Sequence, residues 1–135
     1  MAGGFDPFHF GHLMHLYKAS QLGDILIVIV GTDEMITTKK GFVYQPLNKR
    51  IEKVMETRNF IDKPIEVVVS VDTDGTCSNT LREIKPTIFA KGGDRTPNNM
   101  PESEIRVCRE IGCEIRYGIG EQLDSSSNLA RRHRD

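Results

Sequence analysis

Two rhythms of apolar residues alternate along this chain. Ile25-Leu26-Ile27-Val28-Ile29-Val30 is an unbroken, mostly β-branched run, the pattern of a strand buried on both faces in a parallel sheet. Ahead of it, Leu13, Leu16 and Ser20, with Tyr17 alongside, fall at helical spacing over residues 13–22, and Gly23 is placed to close that helix. The alternation then repeats. Gln45-Pro46-Leu47 opens a helix with Leu47, Ile51, Val54 and Met55 on its apolar face, and residues 65–71 read as a strand. After the turn Asp72-Thr73-Asp74-Gly75, Thr76 or Ser78 caps a helix running through Leu81 and Ile84. Residues 86–90 return to strand, residues 101–112 form a helix with Ile105, Cys108 and Ile111 on one face, and residues 113–117 make the last strand. Asp124-Ser125-Ser126-Ser127-Asn128 starts a final helix.

Such alternation predicts an α/β fold: one domain built as a Rossmann-like, doubly wound parallel sheet of about five strands. The anomaly is at the start. A buried first strand normally supplies five or six apolar residues before its glycine loop, yet only Met1 and Ala2 precede Gly3. The first strand therefore reads as truncated. The pattern leaves open whether it is missing from the sequence, begins upstream, or has its slot filled in another way.

Composition narrows the partners. With 135 residues the chain can bury a real core, and its net charge of −1 gives no general basic field for nucleic acid. Only Arg131-Arg132-His133-Arg134 is strongly basic, read as a solvated helix end or else a phosphate contact. No apolar run reaches the roughly 18–20 residues of a membrane span, and no secretory signal pattern is visible. Cys77, Cys108 and Cys113 are odd in number and lack a CxxC spacing, which fits packed or free thiols in a reducing cytosol rather than a metal site. The expectation is a cytoplasmic protein with no membrane and no nucleic-acid partner.

The chemistry concentrates in Gly3-Gly4-Phe5-Asp6-Pro7-Phe8-His9-Phe10-Gly11-His12. Two glycines allow a sharp turn and close approach of a ligand, and a helix opening near Gly11 directs unpaired N–H groups at that turn. His9 and His12 flank Gly11, which reads as room for a phosphate between two imidazoles able to donate to phosphoryl oxygens. His15, one turn on, reads as structural. Further along, Asp33 reads either as a helix cap or as a contact to an acceptor substrate. Of the adjacent lysines, Lys39 reads as solvated and Lys40, directly before Gly41, as the one that neutralises phosphate charge. Arg50 either reaches back to the ligand or pairs on the surface with Glu52 or Glu56. Lys91-Gly92-Gly93-Asp94 at a strand end suggests close backbone approach to a ligand. Ser125, Ser126 and Ser127 exceed what one cap needs and suggest a second phosphate cradle.

The combination of a GGFD-type loop with HxGH resembles the signature of the cytidylyltransferase-like nucleotidylyltransferases. Within that family the chain is similar to the nucleotidylyltransferase half of ADP-heptose synthases and to glycerol-3-phosphate cytidylyltransferases. The resemblance rests on Gly4-Phe5-Asp6 with His9-Phe10-Gly11-His12, Asp33 with Lys40-Gly41, Pro46-Leu47 with Arg50, Lys91-Gly92-Gly93-Asp94 and, loosely, Ser125-Ser126-Ser127-Asn128. It implies transfer of NMP from an NTP to a phosphorylated polyol or sugar with release of pyrophosphate. His9, His12 and Lys40 would be the catalytic residues. Gly3, Gly4, Phe5, Asp6, Gly11, Lys91, Gly92, Gly93, Asp94, Ser125, Ser126 and Ser127 would bind nucleotide, and Asp33 and Arg50 would touch the substrate. Mg²⁺ would be held by the NTP phosphates and water, since the motifs hold few carboxylates and no metal set of their own. A homodimer is also implied. The Arg-Thr-x-Gly-Ile-Ser-Thr signature of choline- and glycerol-phosphate cytidylyltransferases is absent, because Leu123-Asp124-Ser125 stands where its arginine is expected. The base stays open between CTP, which is favoured, and ATP. A non-catalytic nucleotide-binding module is the rival class, against which the presence of both histidines counts.

Overall fold

Among the described residues, five parallel strands and the helices between them carry the arrangement. The computed structural model describes residues 1–92 and 96–119. In chain order these form β1 (Ala2–Gly3), α1 (Phe10–Ser20), β2 (Leu26–Val30), α2 (Asp33–Lys40), α3 (Leu47–Glu56), a 3-10 turn (Thr57–Asn59), β3 (Ile65–Val69), α4 (Ser78–Ile84), β4 (Ile88–Ala90), α5 (Glu102–Ile111) and β5 (Glu114–Arg116). The strands hydrogen-bond in two ladders, β1-β2-β3 and β4-β5. Ala2 and Gly3 register with Ile29 and Val30, and β2 runs beside β3 from Leu26 against Ile65 to Val30 against Val69.

The first-strand slot is occupied, though briefly. Beyond the two paired residues of β1, the Met1 nitrogen donates to Ile27 O at 2.9 Å and Met1 O accepts the Ile29 N–H at 2.7 Å. Three residues thus anchor the glycine loop to β2, in the slot where the chain pattern reads the first strand as truncated.

Alternate residues of β2 explain why its run has no polar phase. Leu26, Val28 and Val30 belong to a core with Phe5, Leu16, Ala19, Val54, Ile61 and Ala90. Ile29 belongs to the opposite core, with Leu81, Phe89, Val107 and Cys108. Helices α1 and α3 cover the first face, while α4 and α5 cover the second, which is the doubly wound arrangement. In β4, Phe89 faces one core and Ala90 the other, so both ladders serve the same two layers. All three cysteines are free and buried. Burial, the first cause at each, raises the Cys77 and Cys113 thiols and pushes Cys108 up to about 12.

Helix ends follow the sequence in part. Gly41 and Gly112 adopt left-handed conformations (φ 91° and 74°) as caps of α2 and α5. Gly23 does not cap α1, which ends at Gln21 in a right-handed conformation while Lys63 Nζ donates to Ser20 O and Gly23 O. Neither Thr76 nor Ser78 takes the expected cap at α4. The buried Asp72 carboxylate accepts the Asn79 and Thr80 N–H groups at 2.9 and 3.0 Å instead, an ionised acceptor at the positive end of the helix.

Candidate active site

The glycine loop, the start of α1, one face of α2 and the ends of β3 and β4 enclose a cavity of about 900 Å³, within the range of small-molecule sites. It opens at the carboxyl ends of the strands, where open α/β sheets bind ligands.

His9 is the N-cap of α1. The Gly11 N–H donates to His9 Nδ1 at 3.1 Å, and the His9 N–H donates to His12 Nδ1 at 3.2 Å. Each ring therefore spends its Nδ1 as an acceptor, which leaves the proton of the neutral imidazole on Nε2. Both rings line the cavity. They stack face to face, with centroids 3.8 Å apart and planes 25° apart. No phosphate fits between rings in face contact, so the predicted space between the imidazoles is absent and a ligand would meet their edges. Gly11 serves another purpose. A Cβ there would lie 2.9 Å from His9 Cε1, so glycine is what lets the His9 ring fold back over the helix start. Gly11→Ala is expected to leave the fold intact while displacing His9. Losing that cap costs about 1 kcal/mol, readable as a small fall in Tm, and it separates the two donors, so turnover should fall at least about tenfold.

His12 is set to stay neutral. Desolvation, then the neighbouring His9, His15 and Lys40, lower its pKa from 6.5 to about 4. A neutral imidazole donates through Nε2–H without carrying a proton to be lost at neutral pH. The His12 ring resonance should titrate near pH 4 in an NMR series. Native stability should fall as the pH drops from 6.5 toward about 4 and then level, because over that window the unfolded chain binds a proton that the folded chain refuses. Denaturant midpoints across the window check this sign.

Beneath His12 lies Phe5, 4 % exposed, its ring edge-on to the imidazole at 5.1 Å. Phe5 carries the turn: its φ is 56°, whereas neither Gly3 nor Gly4 has a positive φ. A bulky residue in that region costs about 1–3 kcal/mol, offset here by burying the ring.

Several candidate residues stand behind the cavity rather than in it. The buried Asp6 carboxylate accepts the Tyr44 and Gln45 N–H groups, each at 2.7 Å. Lys40 Nζ donates to Asp6 O at 2.5 Å, and of the two adjacent lysines it is Lys39 that lines the cavity, whereas the sequence reading puts Lys40 at the phosphates. Residues 33–40 are helical, so Met35 and Lys39 share a face four residues apart. Arg50 is fully buried and pairs with neither Glu52 nor Glu56. Its Nη1 donates to Gly4 O and Gly31 O, its Nε to Gln45 O, and its Nη2 to Asp33 Oδ1. Asp33 is accordingly occupied by Arg50, and the cap of α2 is Thr32, whose Oγ1 accepts the Met35 N–H. Asp6, Asp33, Lys40 and Arg50 thus set the shape of the loop from outside the cavity wall.

Gly3, Gly4, Phe5, Gly11, Lys91 and Gly92 do line the cavity, as does His15, which the sequence reads as structural, together with residues 73–77 and Glu104, which it does not assign to a site. Gly93, Asp94, Ser125, Ser126 and Ser127, with the final helix and the basic tail, lie outside the described residues. Among the described residues no group of three His, Cys, Asp or Glu side chains is placed to hold a metal ion, and no helix is long and apolar enough to cross a membrane.

Comparison with known proteins places this geometry. The family described as Cytidylyltransferase-like matches residues 1–130. The chain is 38% identical over 128 residues to the bifunctional protein HldE of Blochmanniella floridana, covering 93% of this chain and 25% of that protein. It is 36% identical over 133 residues to the protein of the same name from Campylobacter jejuni subsp. doylei, covering 98% of this chain and 27% of that protein. The chain thus spans about a quarter of the length of these relatives. Its fold is similar to the crystal structure of the lipopolysaccharide core biosynthesis protein from Thermoplasma volcanium, with a TM-score of 0.66 and 25% identity, covering 90% of this chain and 93% of that one. A match over nearly the whole chain, a relative of this identity and a shared fold agree with the paired histidines at the helix start: the chain belongs to the cytidylyltransferase-like family.

Proposed function

We propose that this chain is a nucleotidylyltransferase that moves NMP from an NTP to a phosphorylated sugar or polyol. The observation that carries the reading is the stacked His9–His12 pair, whose Nδ1 atoms are both engaged by the backbone and whose rings line the cavity at a helix N-terminus. In this reaction an acceptor phosphate oxygen attacks the α-phosphorus, the bond from that phosphorus to its bridging oxygen breaks, and pyrophosphate leaves with the electron pair. Transfer of this kind needs positioning and charge stabilisation rather than a protein nucleophile. His9 and His12 donate Nε2–H bonds to α-phosphate oxygens as charge builds up. Lys39, on the cavity wall, balances charge on the departing pyrophosphate, while Lys40 holds the loop through Asp6 O. Gly3, Gly4 and Gly92 let the ligand approach the backbone closely. Ser125, Ser126, Ser127, Gly93 and Asp94 remain assigned to nucleotide binding from the sequence motifs.

Mg²⁺, when bound with the NTP, supplies neutralisation of the β- and γ-phosphate charge. The cavity wall at the start of α1 and on α2 offers imidazoles and Lys39, which suit phosphate oxygens, and the ion would be held by those oxygens and water. CTP is the favoured donor on the family's character. The similarity to bifunctional HldE, taken with the heptose-type motifs, makes ATP and a heptose phosphate the second reading. A pyrophosphate-release assay with CTP and ATP against heptose 1-phosphate, glycerol 3-phosphate and other phosphorylated sugars tests the proposal. Release that depends on one NTP and one acceptor is the expected result. NTP binding without release for any pair would favour a non-catalytic module.

A further inference from the structure

On the cavity wall, beside Lys91 after the end of β4, a carboxylate is incompletely satisfied. Glu104, in the first turn of α5, is 4 % exposed and lines the cavity. Its Oε2 accepts the Cys77 N–H at 3.1 Å and the Cys77 thiol at 3.5 Å. Its Oε1 is buried and has no hydrogen-bond partner among the described residues. The nearest cation, Lys91 Nζ, stands 3.6 Å from Oε1, an ion-pair distance too long for a hydrogen bond. Lys91 also lines the cavity and lies over the Phe89 ring at 4.6 Å.

Leaving a buried carboxylate oxygen unpaired is costly, and its surroundings define the chemistry that would satisfy it. The partner must donate a hydrogen bond to Oε1. A second cation is disfavoured because Lys91 already balances the charge. Beside an acceptor and an ammonium donor, a hydroxyl satisfies both through a single atom, because it donates and accepts at once. A nucleobase would need two atoms for this, an amino donor and the neighbouring ring nitrogen as acceptor. We propose that Glu104 and Lys91 form a sugar-hydroxyl-binding pair: Oε1 takes the hydroxyl proton in a hydrogen bond and Nζ donates to the same oxygen or its neighbour on the ring. This rests on the nucleotidyl-transfer reading for its two sugar sources, the phosphorylated acceptor and the ribose of the nucleotide.

The test is a binding cycle read without turnover. Glu104→Gln keeps the shape and an oxygen for the Cys77 N–H, but presents an amide donor where Oε1 was the acceptor. Wild type and E104Q are titrated calorimetrically with two sets of probes. The first comprises CTP and ATP with their 2′-deoxy and 3′-deoxy forms; the second comprises heptose 1-phosphate and glycerol 3-phosphate with their singly deoxygenated counterparts. Deleting the recognised hydroxyl should weaken binding to wild type roughly 10- to 100-fold and binding to E104Q hardly at all. Lys91→Gln should show the same insensitivity, and circular dichroism checks that both variants are folded. The set in which the difference appears identifies which sugar is held. If no deoxygenated probe separates wild type from both variants, including because no probe binds, the inference is wrong. Failure of the nucleotidyl-transfer reading appears separately, as no pyrophosphate released by wild type whatever the binding cycle shows.

Discussion

Replacing His12 with alanine is expected to lower turnover by about 10²–10³, the usual cost of removing one preorganised donor to a developing oxyanion, while the protein stays folded. The ring is a poor candidate for structural importance. It is partly exposed, and its hydrogen bond to the His9 N–H at 3.2 Å can be taken over by water in the variant. What it supplies is a neutral Nε2–H donor fixed in place by that bond, by the stack on His9 and by the Phe5 ring below. The loss should therefore fall on kcat, with KM for the NTP little changed, because an interaction formed mainly in the transition state is removed. Pyrophosphate release under saturating substrate, alongside a melting curve, reads both quantities. Near wild-type kcat in a folded variant would exclude the histidine pair as the centre of the chemistry.

Arg50→Ala is expected to have the largest effect on stability, about 3–5 kcal/mol, enough to consume much of the roughly 5–15 kcal/mol margin of a domain. Its guanidinium is wholly buried and donates to Gly4 O, Gly31 O, Gln45 O and Asp33. Truncation strands carbonyls of the glycine loop, of the end of β2 and of the segment before α3 at one stroke, each costing about 1–3 kcal/mol if left unpaired, and opens a cavity beside Val54. Arg50→Lys should recover only part, since one ammonium cannot reproduce a planar fork reaching four oxygens. Urea denaturation of the three proteins measures the order. An Arg50→Ala variant as stable as wild type, but with weakened substrate binding, would return this residue to the ligand.

The layers of the fold could be read from the chain because β2 is an unbroken apolar run and the helical faces of α3 and α5 carry strong periodicity. The short first strand could not, since a two-residue strand has no periodicity and exists only through its pairing with Ile29 and Val30. At the site, the His9–Gly11–His12 unit was legible because local backbone bonds build it. Asp6, Asp33 and Arg50 were visible as a set but not in their roles. A charged side chain aimed at a ligand and one spent on distant backbone leave the same mark in a sequence. The choice between Lys39 and Lys40 turned on whether residues 33–40 are helix or loop, and the signs were present: Thr32 as cap and Gly41 as terminator. Glu104 gave no signal, for an acidic residue in the first turn of a helix is ordinary, and only burial without a partner sets it apart.

The Arg50 clamp also says how freely its surroundings can drift. Three of its four contacts are main-chain oxygens, which every amino acid supplies alike. A methyl at Gly4 would meet only Ile36, at 3.5 Å, and one at Gly31 would find nothing nearer than 3.9 Å. An alanine at either position therefore leaves the grip itself intact, so the vulnerability of the clamp gathers at the codon for Arg50.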